Sequence, residues 1–252
     1  MDKEKEIGAE FINRTKHKNL PVSDQVQGVP FPPLELEAEE GLPAVTLPRP
    51  EGFTGGEMDV RQSIESRRSI RSYAETPISL DELSYLLWCT QGVTEIIPGC
   101  CTIRNVPSAG ARHALETYLL VNNVKGVPPG LYRFLAIRHG LVRLSTDGTS
   151  VDTIRKRAVS CCLGQKFVAE SAVTMIWTAI SYRMTWRYGE RGYRYIHLDA
   201  GHVCQNLYLS ALSIGCGACA IAAFDDDALS KLLGIDGEGQ FPVYLCSVGK
   251  MK

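Results

Sequence analysis

Three guanidinium forks and a hydroxyl fall within one short stretch, Arg67-Arg68-Ser69-Ile70-Arg71. Arginine presents a rigid, permanently charged donor fork that matches phosphate oxygens, and a serine hydroxyl serves a polyol, so the stretch suits a phosphate monoester on a sugar-like chain. It also reads as a solvated helix end, because cations there complement the helix dipole. The loop Pro107-Ser108-Ala109-Gly110-Ala111-Arg112 offers small residues that let a flat ring approach the backbone, with a hydroxyl and a cation at its margins; a plain turn before a strand is the alternative. Between Trp186 and Tyr195, cations alternate with aromatics, which frames a planar substrate or forms an exposed charged loop.

Other chemistries lack their parts. Gly215-Cys216-Gly217-Ala218-Cys219-Ala220 has the glycine spacing of a dinucleotide loop, but it follows a helix and enters a strand, the reverse of the required order. Cys216 and Cys219 have no second pair at ligand spacing, and Cys100-Cys101, Cys161-Cys162, His197 and His202 match no metal pattern, so buried structural thiols and no metal are expected. Neither a nucleophile elbow nor a Walker loop is present, which leaves chemistry that needs a cofactor.

The chain has 252 residues, with 27 basic and 28 acidic side chains and a net charge of -1, so no electrostatic footprint for nucleic acid or anionic membrane is expected. Small molecules are the expected partners. No apolar run reaches the ~20 residues that span a bilayer, and Met1 to Glu6 is charged, which predicts a cytoplasmic protein. Nine cysteines, an odd number set partly in apolar runs, fit a reducing compartment.

Two regions divide the chain. Residues 1–58 read as a helix near Phe11 to Lys18 and an extended arm, Pro21 to Pro50, whose apolar residues favour docking over disorder, so that the arm is expected to embrace a partner subunit. Residues 59–252 read as the main domain. Within it, Asp59 to Arg67 is helical and Ser79-Leu80-Asp81-Glu82 is a capping box that starts a helix ending before Gly92. Strands are expected over 117–122, 130–134, 140–144, 172–180, 218–224 and 242–248, and helices over 151–162, 193–214 and 226–233. The long helix over 193–214 belongs in a core or a dimer interface. Hairpins mixed with helices give an α+β fold rather than a doubly wound one.

In that order, Arg67-Arg68-Ser69-Ile70-Arg71-Ser72-Tyr73, Leu86-Leu87-Trp88, Pro107 to His113, Pro129-Gly130-Leu131-Tyr132, Asp199-Ala200-Gly201-His202, Gln205-Asn206-Leu207 and Ala223-Phe224-Asp225-Asp226 resemble the nitroreductase superfamily, most closely its SagB-type dehydrogenase branch. The resemblance implies an FMN-binding α+β fold with a mixed, mainly antiparallel sheet and an intertwined homodimer. It implies that Arg67, Arg68 and Ser69 hold the FMN phosphate and ribityl chain, that Arg71 faces the pyrimidine edge, and that Lys250 reaches the phosphate. Pro107, Ser108 and Ala109, with Ala111 and Arg112, would come from the other subunit, and Ala222 and Ala223 would act near flavin N5 through their backbone. The implied activity passes a hydride through N5 from a donor such as NAD(P)H to a nitroaromatic, quinone or similar acceptor. One departure stands out: azoline-forming relatives carry a Lys-Tyr pair for proton abstraction, where this chain has Arg187-Tyr188. Arginine stays protonated and is a poor base, so Tyr188 is the candidate catalytic residue. The alternatives are azoline oxidation in a modified peptide, non-catalytic flavin binding, and a thiol-based sensor.

Overall fold

The computed structural model describes residues 6–38, 41–144, 146 and 148–252. In chain order its elements are α1 (Ile7–Arg14), β1 (Ala44–Thr46), α2 (Val60–Ser66), α3 (Leu80–Gln91), β2 (Val93–Ile97), β3 (Cys101–Arg104), β4 (Leu115–Val121), β5 (Gly130–Leu135) and β6 (Gly140–Arg143). There follow α4 (Val151–Cys161), α5 (Phe167–Glu170), β7 (Val173–Ile180), α6 (Ser181–Tyr188), α7 (Gly192–Ser213), β8 (Cys216–Ile221), α8 (Asp226–Leu233) and β9 (Gln240–Lys250).

Seven strands form one sheet in the order β1-β6-β5-β4-β7-β9-β8, and every ladder between them is antiparallel. Of the central strands, β4 is buried along its whole length and β7 up to Ala179, because both faces are covered. Side chains alternate between the faces. From β4, Leu119 and Val121 join the core under α3 and α7, while Tyr118 and Leu120 join the core under α4 and α8. On β7, Met175 and Trp177 face the first core and Ile176 the second.

Local sequence sets the helix ends. The Ser79 hydroxyl accepts from Glu82 N, and the Glu82 carboxylate accepts from Ser79 N at 2.8 Å, a reciprocal cap that contributes about 1 kcal/mol. At α8 the Asp225 carboxylate accepts from Ala228 N, a one-sided cap, and Gly234 ends the helix in the left-handed conformation.

Three features depart from the sequence expectations. The arm does not stay irregular: β1 pairs with β6 and extends the sheet. It also packs on its own chain, where Gln25 N donates to Trp186 O, Trp186 Nε1 to Val29 O and Arg133 to the carbonyls of Leu36 and Glu37. Those bonds satisfy buried polar groups that could not stay unpaired, so the arm needs no partner to find a docking surface. Second, the aromatic-cationic stretch is not a loop: it spans the end of α6, a single 3-10 turn over Gly189–Arg191 and the start of α7. Third, β2 and β3 form a separate hairpin that sequence periodicity did not reveal. Among the described residues, no helix is long and apolar enough to cross a membrane.

Candidate functional site

The basic stretch lies against the edge strand of the sheet. Ile70 N donates to Ala218 O at 2.9 Å, and Ser69 pairs with Ala218 in a parallel bridge. This approach requires glycine on the strand: a Cβ at Gly217 would come within 2.6 Å of Ile70 Cβ. Gly249 on the neighbouring strand likewise makes room for the ring of Tyr73, whose hydroxyl bonds Ser247 Oγ at 2.7 Å. Burial pushes that phenol well above its ordinary value.

Tyr208, on the inner half of α7, ties the cluster together. Its hydroxyl lies 3.0 Å from Ser69 Oγ and accepts from Ala220 N at 2.7 Å, and the Arg67 guanidinium sits over its ring. Burial, partly offset by these bonds, raises the Tyr208 pKa and keeps it a neutral donor. Arg68 turns back on the carbonyls of Glu65 and Arg67 and lies exposed. The stretch meets β8 at Ser69 and Ile70, and Tyr73 and Ala74 then turn back to Met251 and Lys250 beside the start of that strand; the Arg71 charge acts on Cys219 of β8, and Ala222 and Ala223 follow the end of the strand, exposed. Neither alanine N–H finds an acceptor among the described residues. The result is an exposed row of guanidinium groups, a fixed hydroxyl pair and free backbone donors, the donor set that a phosphorylated polyol and a heteroaromatic edge would use.

Lys250 is placed differently from its expected role. Its ammonium bonds the carboxylate of Glu82 and the carbonyl of Ile214, and the Glu82 contact raises its pKa against the opposing effect of burial. Here the lysine ties β9 to the capping box of α3.

The second group gathers around the 107–112 loop. Gly110, Ala111 and His113 all have positive φ, of 58°, 53° and 44°. For the two non-glycine residues this is costly and persists only where the surroundings fix it. Asp199 of α7, 5% exposed, accepts from Ala109 N at 3.3 Å, and Ser108 Oγ accepts from His113 N at 2.9 Å. Burial raises the Asp199 pKa, and its second oxygen, Oδ2, has no hydrogen-bond partner among the described residues. Arg112 is spent as a brace: Nε donates to Gly110 O, Nη2 to Cys100 O at 2.7 Å, and the guanidinium lies over Trp186. Tyr188 and Arg187 close over Gly110, where a Cβ would come within 2.5 Å of the Tyr188 hydroxyl and 2.9 Å of Arg187 Nε.

Within one chain, then, Arg67, Ser69, Arg71, Ala222 and Ala223 form one group, and Pro107 to Arg112 with Tyr188 form another. α7 passes beneath both, its Asp199 and Tyr208 separated by ~14 Å of helix rise. Sequence reasoning missed Tyr208, Gly217 and the anchoring role of Asp199. Each lies in an apolar run whose pattern gives no sign of its partner; a tyrosine and an aspartate on the buried face of a predicted helix were the available signal. Among the described residues, no group of three or more His, Cys, Asp or Glu side chains is placed to hold a metal. Cys216 and Cys219 are buried free thiols whose pKa values burial pushes up.

A family described as Nitroreductase family matches residues 64–250, which takes in the end of α2 and every element from α3 onward. A nitroreductase-family protein of Methanocaldococcus jannaschii is 36% identical over 194 residues, covering 77% of this chain and 92% of that protein. The trifolitoxin-processing protein TfxB of Rhizobium leguminosarum is 27% identical over 165 residues, 63% of this chain and 44% of the longer relative. Among solved structures, a chain of the Escherichia coli microcin synthetase McbBCD complex with truncated pro-MccB17 superposes with a TM-score of 0.61 at 21% identity, covering 100% of this chain and 95% of that one. That similarity shows the fold, and the family match over residues 64–250 together with the 36% identical relative shows the family: the chain belongs to the nitroreductase family of oxidoreductases.

Proposed function

We propose that this chain is an FMN-dependent reductase, active as a homodimer, that takes reducing equivalents from NAD(P)H and passes them to a nitroaromatic, quinone or similar small acceptor. The observation that carries this reading is the Arg67–Ser69–Tyr208 cluster beside the free backbone of Ala222 and Ala223. Arg67, Ser69 and exposed Arg68 would hold the phosphate and polyol, and Arg71 would set a positive charge at the ring edge, where it stabilises developing negative charge. FMN, when bound, supplies the hydride chemistry that no side chain of this protein has. The Ala222 and Ala223 N–H groups would orient the ring, and Pro107, Ser108 and Ala109 of a second copy would cover its face and exclude water. The separation of the two groups along α7 supports a site completed across two subunits. So does an open groove of about 480 Å³ between α2, α3 and α7, lined by Met58, Val60, Trp88 and Leu209.

Tyr188 would give or take a proton at the mouth of the site, a reading supported by its approach to Gly110 and its edge-on packing on Tyr195. A second reading, oxidation of an azoline in a modified peptide, draws on the likeness to the trifolitoxin-processing protein and to the microcin synthetase chain. Arg187 counts against it, since an arginine cannot serve as the base.

The test is the absorbance spectrum of protein saturated with FMN, followed anaerobically after NADH or NADPH is added. Flavin bands that bleach and return with a nitroaromatic or quinone establish the reductase. Bound flavin that stays oxidised with both donors shifts the reading to the peptide dehydrogenase, and failure to bind FMN overturns the cofactor.

A further inference from the structure

Five arginines surround the junction of α6, α7 and the 107–112 loop, and four are engaged by the protein itself. Arg112 donates to Cys100 O and Gly110 O. Arg183 meets the Glu116 carboxylate at 2.7 Å and donates to Pro33 O. Arg191 donates to Thr15 O and the Tyr195 hydroxyl, and Arg194 to Thr15 Oγ1, so both grip the end of α1. Arg187 is the exception: among the described residues it has neither a hydrogen-bond acceptor nor a carboxylate in ion-pair range. Glu190 is the sole acidic residue between Arg183 and His197, is exposed, and makes no ion pair with it.

Yet Arg187 is not a loose surface side chain. It is half-buried, its guanidinium lies 5.6 Å from the centroid of the Tyr188 ring, and its Nε and Cδ rest on Gly110. Stacking on an aromatic face fixes the plane of the fork and leaves its edge donors free. A positioned, unspent fork beside a phenol hydroxyl matches one chemistry well, a carboxylate taken in two parallel hydrogen bonds.

We propose that Arg187 is the docking point for a carboxylate on the acceptor, so the site selects acceptors that carry an anionic group beside the part to be reduced. The proposal rests on the reductase reading, and one arm of its test does not.

Wild type, Arg187→Gln and Arg187→Lys are loaded with FMN, with Arg157→Gln on α4 as a charge control remote from the site. Calorimetric affinities for benzoate and benzamide are measured, then kcat/KM for 4-nitrobenzoate and 4-nitrobenzamide with NADH and with NADPH. In wild type the acid is favoured over the amide by about tenfold or more, the range of one charge-assisted contact. The ratio falls toward one in Arg187→Gln, is partly kept in Arg187→Lys, which retains charge without the fork, and is unchanged in Arg157→Gln. Equal acid-to-amide ratios in wild type and Arg187→Gln overturn the proposal. A loss confined to NADPH relative to NADH also overturns it, because the cation would then read the donor's phosphate. If no donor reduces the flavin, the reductase reading fails and the benzoate-to-benzamide affinity ratio alone decides the role of Arg187.

Discussion

His113 sits where the 107–112 loop enters β4, buried, with a φ of 44°. Burial, then the nearby charges of Arg104, Arg112 and Arg183, push its pKa down to about 3, outweighing a bond to the Thr102 backbone. The folded protein therefore holds a neutral imidazole where the unfolded chain, with a value near 6.5, takes up a proton. Between pH 6.5 and 3 the unfolded state binds more protons, so this group's stability contribution is complete above pH 6.5 and is lost as pH falls, by up to about 1.4 kcal/mol per unit. Glu35 and Asp199, whose pKa values burial raises, act with the opposite sign: their folded forms favour the proton, and stability falls as pH rises through the carboxylate range. The melting temperature is expected to drop on acidification from about pH 7 to about pH 5, at a cost of up to about 2 kcal/mol. His113→Asn, a residue that tolerates positive φ, should flatten that slope. An equal slope in the variant would assign the acid sensitivity to another group. At this scale the sequence was informative where chemistry is contiguous: Arg67, Ser69 and Arg71 are visible because they are adjacent. Tyr208 was not, because Ser69 lies far away in sequence and only the packing of α7 on the sheet brings it and Ala220 to the Tyr208 hydroxyl.

The arm, β4 and α6 meet at Glu116. This carboxylate, 4% exposed, faces Arg183 of α6 at 2.7 Å and Arg133 of β5 at 3.5 Å, and accepts from Leu36 N of the arm at 3.0 Å. Removing one partner of such a buried set leaves uncompensated guanidinium charge, which costs on the order of 3–5 kcal/mol. Glu116→Ala is expected to lower the melting temperature by about 10 °C, and Glu116→Gln by less, since it keeps one acceptor. The same change should free the arm, read by faster proteolysis between Pro21 and Pro50. Unchanged cleavage with a lowered melting point would show that Glu116 stabilises the core without holding the arm. Elements with strong local signals, such as the capped α3 and the apolar run of β7, were legible from sequence. β1 was not, because three residues between prolines carry no period and become a strand only when β6 offers its edge.

Taken whole, the chain leaves Val60 exposed at the groove between α2, α3 and α7, Ile64 and Leu198 exposed elsewhere on α2 and α7, and Ile96, Ile97 and Ile103 exposed on the β2–β3 hairpin. Apolar surface of this kind is typical of an interface. Introducing charge with Ile64→Lys and Leu198→Lys together is expected to give a monomer by analytical ultracentrifugation and to weaken FMN binding by at least about tenfold, as loss of a partner's loop would. Tight flavin binding by a monomer would place the whole site in one chain. The sequence by itself determined the α+β class, most element positions and the basic stretch, because capping residues, apolar period and adjacent charges act over a few residues. Only the tertiary structure decided that Gly217 and Gly249 admit that stretch against the sheet, that Tyr208 and Asp199 anchor the two groups, that Lys250 is bound to Glu82, and that the arm lies on its own chain. These depend on which distant backbone and charged groups come together when the core closes, and burial then fixes the cost of leaving any of them unpaired.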